Sequence, residues 1–76
     1  MIELYADFND IAADGTLPLT AEGSVAAITT LGARLRDAER VRLSDGELVT
    51  FATVHQRDDG TWEARSNWEF FEAPQS

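Results

Sequence analysis

The chain has 76 residues, a formal net charge of −8 and no cysteine. That length allows a single domain with a small core, and the lack of cysteine excludes disulfides and thiolate metal sites. The excess of negative charge repels phosphate backbones and anionic surfaces, so neither nucleic acid nor a membrane is an expected partner. No apolar run approaches the ~20 residues of a membrane span, and no signal peptide is recognisable, so a cytoplasmic location is predicted.

The first part of the chain predicts two strands. Apolar and polar side chains alternate from residue 2 to residue 8, which is typical of a half-buried β-strand. A polar connection follows and ends in the turn pair Asp14-Gly15, after which residues 16–20 form a short extended stretch. Pro18 cannot donate a hydrogen bond to a neighbouring strand, so this stretch is expected at a sheet edge.

Residues 24–32 are predicted to form a short helix rather than a strand. Ser24 is a suitable N-cap, and Gly32 suits the position just beyond the helix C-terminus. Val25, Ile28 and Leu31 are spaced three apart, so this apolar stripe would face the sheet. The neighbouring threonines at positions 29 and 30 favour a strand instead, and that alternative stays open.

Residues 41–66 predict two consecutive β-hairpins. In the first, Asp45-Gly46 forms a two-residue loop that pairs Leu43 with Leu48 and Val41 with Thr50. In the second, Asp58-Asp59-Gly60 forms a three-residue loop with Gly60 in the left-handed region. This register gathers the apolar side chains on one face, and that face comprises Val41, Leu43, Leu48, Ala52, Val54, Trp62 and Ala64.

In the second hairpin, the three-residue loop pairs Val54 with Ala64 and Gln56 with Trp62. The opposite face then carries polar side chains, namely Arg42, Thr53, His55, Glu63 and Arg65. Five or six short strands with one short helix predict a mainly β domain over residues 1–72. The expected architecture is a small, bent, antiparallel barrel of SH3-like type, followed by a frayed tail at residues 73–76.

Four short stretches resemble a group of small uncharacterised bacterial proteins. These stretches are Met1-Ile2, Tyr5-Ala6-Asp7-Phe8-Asn9, Gly23-Ser24 and Gly60-x-Trp62. Members of that group open with a similar Tyr-Ala-Asp-Phe-Asn stretch and end in a comparable hairpin. The resemblance spans most of the chain and implies a bacterial, cytoplasmic protein, but it implies no activity and carries over no functional residue.

No catalytic, cofactor-binding or metal-binding residue is predicted. His55 is the single histidine and is expected opposite Glu63, where a solvated cross-strand pair is favoured over a general base. Residues 10–22 partly match a calcium-binding loop, but Ala12 and Ala21 occupy two of its ligand positions. A non-enzymatic protein is therefore expected.

The aromatic side chains outside the predicted core suggest a protein-binding patch with an acidic rim. The patch comprises Tyr5, Phe51, Trp68, Phe70 and Phe71, and the rim comprises Asp7, Asp10, Glu69 and Glu72. Aromatic residues are enriched in interfaces, so this pattern predicts an interaction module that binds a protein partner or forms a symmetric homodimer. The alternative structural interpretation is a second small core on that side of the sheet.

An acidic inhibitor that imitates nucleic acid and occupies a basic groove of a partner is the alternative function. That hypothesis requires carboxylates gathered on one surface, whereas scattered carboxylates indicate ordinary solubility. The residues that decide between the two are Glu3, Asp7, Asp10, Asp14, Glu69 and Glu72.

Overall fold

The computed structural model describes residues 1–73. Six strands and one α-helix are present in that range, and two single-turn 3₁₀ helices, Phe8–Asp10 and Gly32–Arg34, lie between them. In chain order the main elements are β1 (Glu3–Tyr5), β2 (Thr16–Pro18), α1 (Glu22–Leu31), β3 (Glu39–Ser44), β4 (Leu48–Gln56), β5 (Trp62–Arg65) and β6 (Phe71–Glu72). Of the predicted frayed tail, Ala73 donates its N–H to the carbonyl of Glu47 at 2.9 Å, and residues 74–76 lie outside the described residues.

The strands form one mixed sheet in the order β1-β3-β4-β5-β2. The strand β5 pairs with the second half of β4, and β6 pairs with the start of β4. The prediction of a mainly β domain with one helix is confirmed. The sheet is not closed within residues 1–73, because β1 and β2 occupy opposite edges, so the predicted SH3-like barrel is not confirmed.

The expectation of an entirely antiparallel sheet is wrong at one strand pair. β1 runs parallel to β3, with Leu4 opposite Leu43. A parallel pair cannot be joined by a tight turn, because the chain must return to the start of the sheet before the second strand begins. The long connection between β1 and β3 supplies this return and contains both β2 and α1.

The second hairpin has the predicted register, whereas the first differs from it by two residues. Val54 lies opposite Ala64 and Gly60 has φ +88°, as predicted for a three-residue loop. In the first hairpin, Leu43 lies opposite Thr50 instead of Leu48. The physical reason is Asp45, whose carboxylate accepts hydrogen bonds from the N–H groups of residues 47 and 48, each at 2.8 Å, and so holds a wider loop.

Because side chains alternate with a period of two, this shift of two residues leaves the faces unchanged. We call the buried side of the sheet the covered face. It carries five fully buried residues from β3, β4 and β5, namely Val41, Leu43, Ala52, Val54 and Ala64. Leu48, which was expected among them, is 36% exposed because it lies where the loop ends. Trp62 is partly buried against this core.

Helix α1 covers this core, but its start differs from the prediction. It begins at Glu22, and Ser24 lies inside the helix instead of capping it. The buried Ser24 hydroxyl donates to the carbonyl of Tyr5 at 2.6 Å, which ties the helix to the edge of β1. Gly32 ends the helix at φ +55°, as predicted. Val25 is 48% exposed, so Ile28 and Leu31 make the apolar contacts expected of the stripe.

The other side of the sheet is called the open face, because α1 and the segment around Trp68 both pack against the covered side. Strand registers place alternate residues on it. Its members are Glu3, Tyr5, Arg40, Arg42, Ser44, Val49, Phe51, Thr53, His55, Glu63, Arg65 and Phe71.

Candidate functional site

The predicted aromatic patch separates into three parts. The first is a cluster of Trp68, Phe70 and Phe8, with 4.8 Å between the ring centroids of Phe8 and Phe70 and 6.4 Å between those of Phe8 and Trp68. Phe8 and Trp68 also pack against the buried core. Phe8 and Trp68 therefore close one end of the main core and are not part of a second one.

Trp68 is held in place by its side chain and by its backbone. Its indole N–H donates to the carbonyl of Gly15 at 2.8 Å, and its backbone N–H donates to the Ser66 hydroxyl at 3.0 Å. Its φ is +56°, in a region that non-glycine residues seldom adopt. These bonds fix the turn through which the chain passes from β5 to β6.

The second part is the pair Phe51 and Phe71 on the open face. Their ring centroids are 6.3 Å apart, and the two residues are 37% and 53% exposed. Val49 lies beside Phe71 in the register and is only 4% exposed. The pair therefore forms an exposed aromatic surface across β4 and β6.

The third part is Tyr5, which lies apart from both aromatic groups at the edge of the sheet. Its ring lies directly over Gly23 of α1, where a Cβ atom would come within 2.6 Å of Tyr5 Cδ1. Tyr5 is therefore an edge residue packed on the helix, and we remove it from the candidate surface.

The acidic rim gathers at one end of the sheet together with carboxylates that the prediction did not include. β1 and β3 end there and β4 and β6 pair there. We call this region the acidic end. It comprises Asp7, Asp10, Asp14, Asp45, Glu47, Glu69 and Glu72, and the three segments that carry it, residues 6–15, 44–48 and 66–73, contain no lysine or arginine.

Contacts between these three segments show that the acidic end is one region. The Phe8–Phe70 contact and the Trp68–Gly15 hydrogen bond join the first segment to the third. The hydrogen bond from Ala73 to the Glu47 carbonyl joins the third to the second. Phe70 and Phe71 lie within this region, and Phe70 is 39% exposed.

Two carboxylates of the acidic end have lowered pKa values. Hydrogen bonds from the backbone N–H and hydroxyl of Thr16 lower the pKa of Asp14. Hydrogen bonds from the N–H groups of Leu48 and Glu47 lower the pKa of Asp45. These interactions stabilise the ionised forms and fix both carboxylates in position, so they remain negative well below neutral pH.

The open face has the opposite electrostatic character. It carries Arg40, Arg42 and Arg65, and Arg57 reaches it to contact Glu63 at 3.3 Å. Arg65 contacts the other oxygen of Glu63 at 3.3 Å. Burial raises the pKa of Glu63, but the two guanidinium groups outweigh it and hold that pKa below its usual range.

His55 lies directly opposite Glu63 in the predicted register, but the two side chains do not form the predicted pair. His55 Nδ1 lies 3.7 Å from a carboxylate oxygen of Asp37, while the Glu63 carboxylate is held by its two arginines. His55 therefore contacts Asp37 and not the carboxylate of Glu63.

The partial calcium-loop match gains no support from the geometry. The Asp14 carboxylate accepts both hydrogen bonds from Thr16, which makes it a turn residue. Among residues 1–73 there is no group of three or more histidine, cysteine, aspartate or glutamate side chains arranged to hold a metal ion.

Sequence reasoning identified the rim residues but missed Asp45 and Glu47. It placed Arg42 and Arg65 on the open face but missed Arg40 and Arg57. The absence of any base from residues 66–73 was a usable signal. The proximity of the first hairpin loop to the C-terminal segment could not be predicted from the sequence, because it depends on the pairing of β6 with the start of β4.

None of the helices in residues 1–73 has the length and apolar character needed to cross a bilayer. The chain matches no protein-family model, no curated protein and no solved structure.

Proposed function

We propose that this chain is a non-enzymatic protein-interaction module that binds a basic protein surface through its acidic end. The observation that carries the proposal is the union of two features in one place. Seven carboxylates lie on three contacting segments that contain no lysine or arginine, and one of these segments also carries the exposed rings of Phe70 and Phe71. A basic partner would meet electrostatic attraction at the rim and apolar area at the centre.

Arginine is the partner side chain that this surface fits best. A guanidinium group can donate two hydrogen bonds to the oxygens of one carboxylate and can also stack on an aromatic ring. Glu69 and Glu72 flank Phe70 and Phe71 in sequence, so both kinds of contact are available within one short segment. Because Asp45 and Trp68 are fixed by hydrogen bonds, these two residues lose little conformational entropy when a partner binds.

Imitation of nucleic acid is the second candidate, and the placement of the acids favours it over simple solubility. Of the six carboxylates that separate these alternatives, five lie at the acidic end. Glu3 is the exception, because it lies on the open face 3.1 Å from Arg42. An acidic inhibitor would use the same end to occupy a partner's nucleic-acid groove.

The main proposal is tested by measuring binding to a fluorescent arginine-rich peptide. We expect the double variant Glu69→Gln/Glu72→Gln to bind about tenfold more weakly, since two exposed charge contacts contribute roughly 0.5–1 kcal/mol each. The matched control is Glu22→Gln/Asp58→Asn, which changes the net charge equally at exposed positions outside the acidic end. Equal weakening in both variants would show that only the net charge acts, and the proposed surface would be rejected.

The aromatic contribution is tested with Phe71→Ala against Val25→Ala. Both residues are about half exposed, 53% and 48%, but only Phe71 lies at the acidic end. We expect the Phe71 change alone to weaken peptide binding. An equal effect of the two changes would remove the rings from the proposed surface.

Nucleic-acid imitation is tested by elution of basic host proteins from immobilised DNA. An inhibitor of that kind releases a subset of those proteins, and Glu69→Gln/Glu72→Gln does not. If the wild-type chain binds the arginine-rich peptide but releases nothing from DNA, imitation is rejected and the interaction module is retained.

A further inference from the structure

The arginines of this acidic chain are concentrated on one surface. Four of the six, Arg40, Arg42, Arg57 and Arg65, belong to or reach the open face, where Glu3 and Glu63 partly neutralise them. Asp37 lies at its border beside His55. The face is therefore neutral to basic, in a chain whose net charge is −8.

The open face also carries exposed aromatic area without a cover. Phe51 is 37% exposed on this face, and Arg42 lies opposite it on the adjoining strand. The neighbouring ring of Phe71 is counted with the acidic end, where β6 pairs with the start of β4. Exposed aromatic rings flanked by arginines on a sheet form a surface suited to an acidic partner.

We propose that the open face of one copy of this chain binds the acidic end of a second copy, in a head-to-tail arrangement. The inference rests on the proposed function, since it names a basic surface that the acidic end binds. The two surfaces are complementary in charge, because the guanidinium groups of one copy would lie opposite the carboxylates of the other. Both include aromatic rings that association would remove from water.

The alternatives for self-association are less favourable on the same observations. Two open faces placed against each other would juxtapose arginines with arginines, and two acidic ends would juxtapose carboxylates. Addition of a strand is hindered at β1 and at β2, the two ends of the strand order. At β2, Pro18 provides no N–H, and at β1 the Tyr5 carbonyl already accepts the Ser24 hydroxyl.

Repulsion between two copies of net charge −8 opposes this contact at long range. Salt screens that repulsion beyond a Debye length of about 8 Å at physiological ionic strength, whereas the contacting side chains lie well within it. The contact is heterologous, so each copy retains one unused surface and association can continue beyond a dimer.

The test uses two variants, each of which lacks one of the surfaces. The face variant is Arg40→Glu/Phe51→Glu, and the end variant is Glu69→Arg/Glu72→Arg. All four positions are exposed. We expect sedimentation to show concentration-dependent association of the wild-type chain and monomers for each variant alone. An equimolar mixture should form a one-to-one heterodimer and nothing larger, because one intact face meets one intact end.

Three results would overturn the inference. They are a wild-type chain that stays monomeric at the highest concentration reached, an end variant that still self-associates, and a mixture that stays monomeric although both variants are folded by circular dichroism. Persistent association of the end variant would indicate a symmetric dimer. The control Glu22→Arg/Asp58→Arg should associate at least as well as the wild type.

A measurement on the wild-type chain alone covers the case in which a variant does not fold. Dilution should shift the backbone amide resonances of the open face and of the acidic end together. Shifts on only one of these surfaces contradict the head-to-tail contact. Failure here leaves the proposed function standing if the arginine-rich peptide still binds the acidic end, whereas loss of specific peptide binding removes both.

Discussion

The two faces of the sheet are formed by the same strands but differ in burial and in charge. On the covered face, Val41, Leu43 and Val54 are completely buried. On the open face, the intervening residues include arginines and the exposed ring of Phe51. The comparison shows that the alternating pattern separates the core from an exposed surface, because neighbouring residues of one strand point into core and into solvent.

Among the substitutions that test this comparison, Leu43→Ala is expected to have the largest effect on stability. Leu43 is fully buried, so the change leaves a cavity and should lower the free energy of unfolding by about 3 kcal/mol. Phe51→Ala on the open face should lower it by less than about 1 kcal/mol, since the ring is partly exposed. Urea denaturation measures both, and similar losses would mean that the open face contributes to the core.

Trp68→Phe should have the next largest effect, because Trp68 closes the covered side. The change removes the indole hydrogen bond to Gly15 and should cost about 1–2 kcal/mol of stability. Trp62→Phe is the matched control, since it removes the same atoms from another half-buried indole that lies outside the Gly15 contact. A larger loss for Trp62 would contradict the role given to the hydrogen bond.

Gly60→Ala tests the turn that sets which residues occupy each face. Gly60 has φ +88°, which alanine adopts only with strain, and open space surrounds the position of a Cβ atom. We expect a loss of about 1 kcal/mol by thermal or urea denaturation. The neighbouring change Asp58→Ala should stay within about 0.5 kcal/mol, and an equally small effect at Gly60 would reject the strained turn.

Glu63→Gln tests how much the ion pairs of the open face contribute to stability, because that contribution depends on pH. The folded-state pKa of Glu63 is lowered, so its ionised form adds stability above the unfolded value of about 4.3, and this is lost as pH falls through the folded value. At pH 7 the variant should be about 0.5–1 kcal/mol less stable, after allowing for the exposure of both arginines. The difference between the two proteins should disappear on acidification, and a constant difference from pH 7 to pH 2 would show that charge is not its source.

Local signals were sufficient to predict much of this fold. The alternation around Leu4, the position of Pro18, the end of the helix at Gly32 and the second hairpin all depend on residues near one another in sequence. The predicted register of the first hairpin was wrong for a local reason too. An aspartate that accepts hydrogen bonds from two following N–H groups can hold a longer loop than Asp-Gly normally implies.

Other features depend on distant contacts and could not be read from the sequence. Ser24 resembled an N-cap, but it bonds to Tyr5 across the structure, and tertiary contact outweighed the local preference. The aromatic residues were predicted to form one patch, yet their division into three parts depends on whether each ring points to the covered or the open side. That direction follows from the turn around Trp68, whose φ is +56°.

The parallel pairing of β1 with β3 has a consequence for the order of folding. The strands β3, β4 and β5 are consecutive and can form from local contacts, whereas β1 finds its partner only after residues 42–44 have been synthesised. Because contacts between distant residues form slowly and synthesis starts at the N-terminus, the apolar side chains of Ile2, Leu4 and Phe8 remain exposed on the nascent chain while the meander assembles. β1 leaves the ribosome before β3 but is expected to be among the last strands to join the sheet. Mutations in β1 should therefore mainly speed unfolding rather than slow folding.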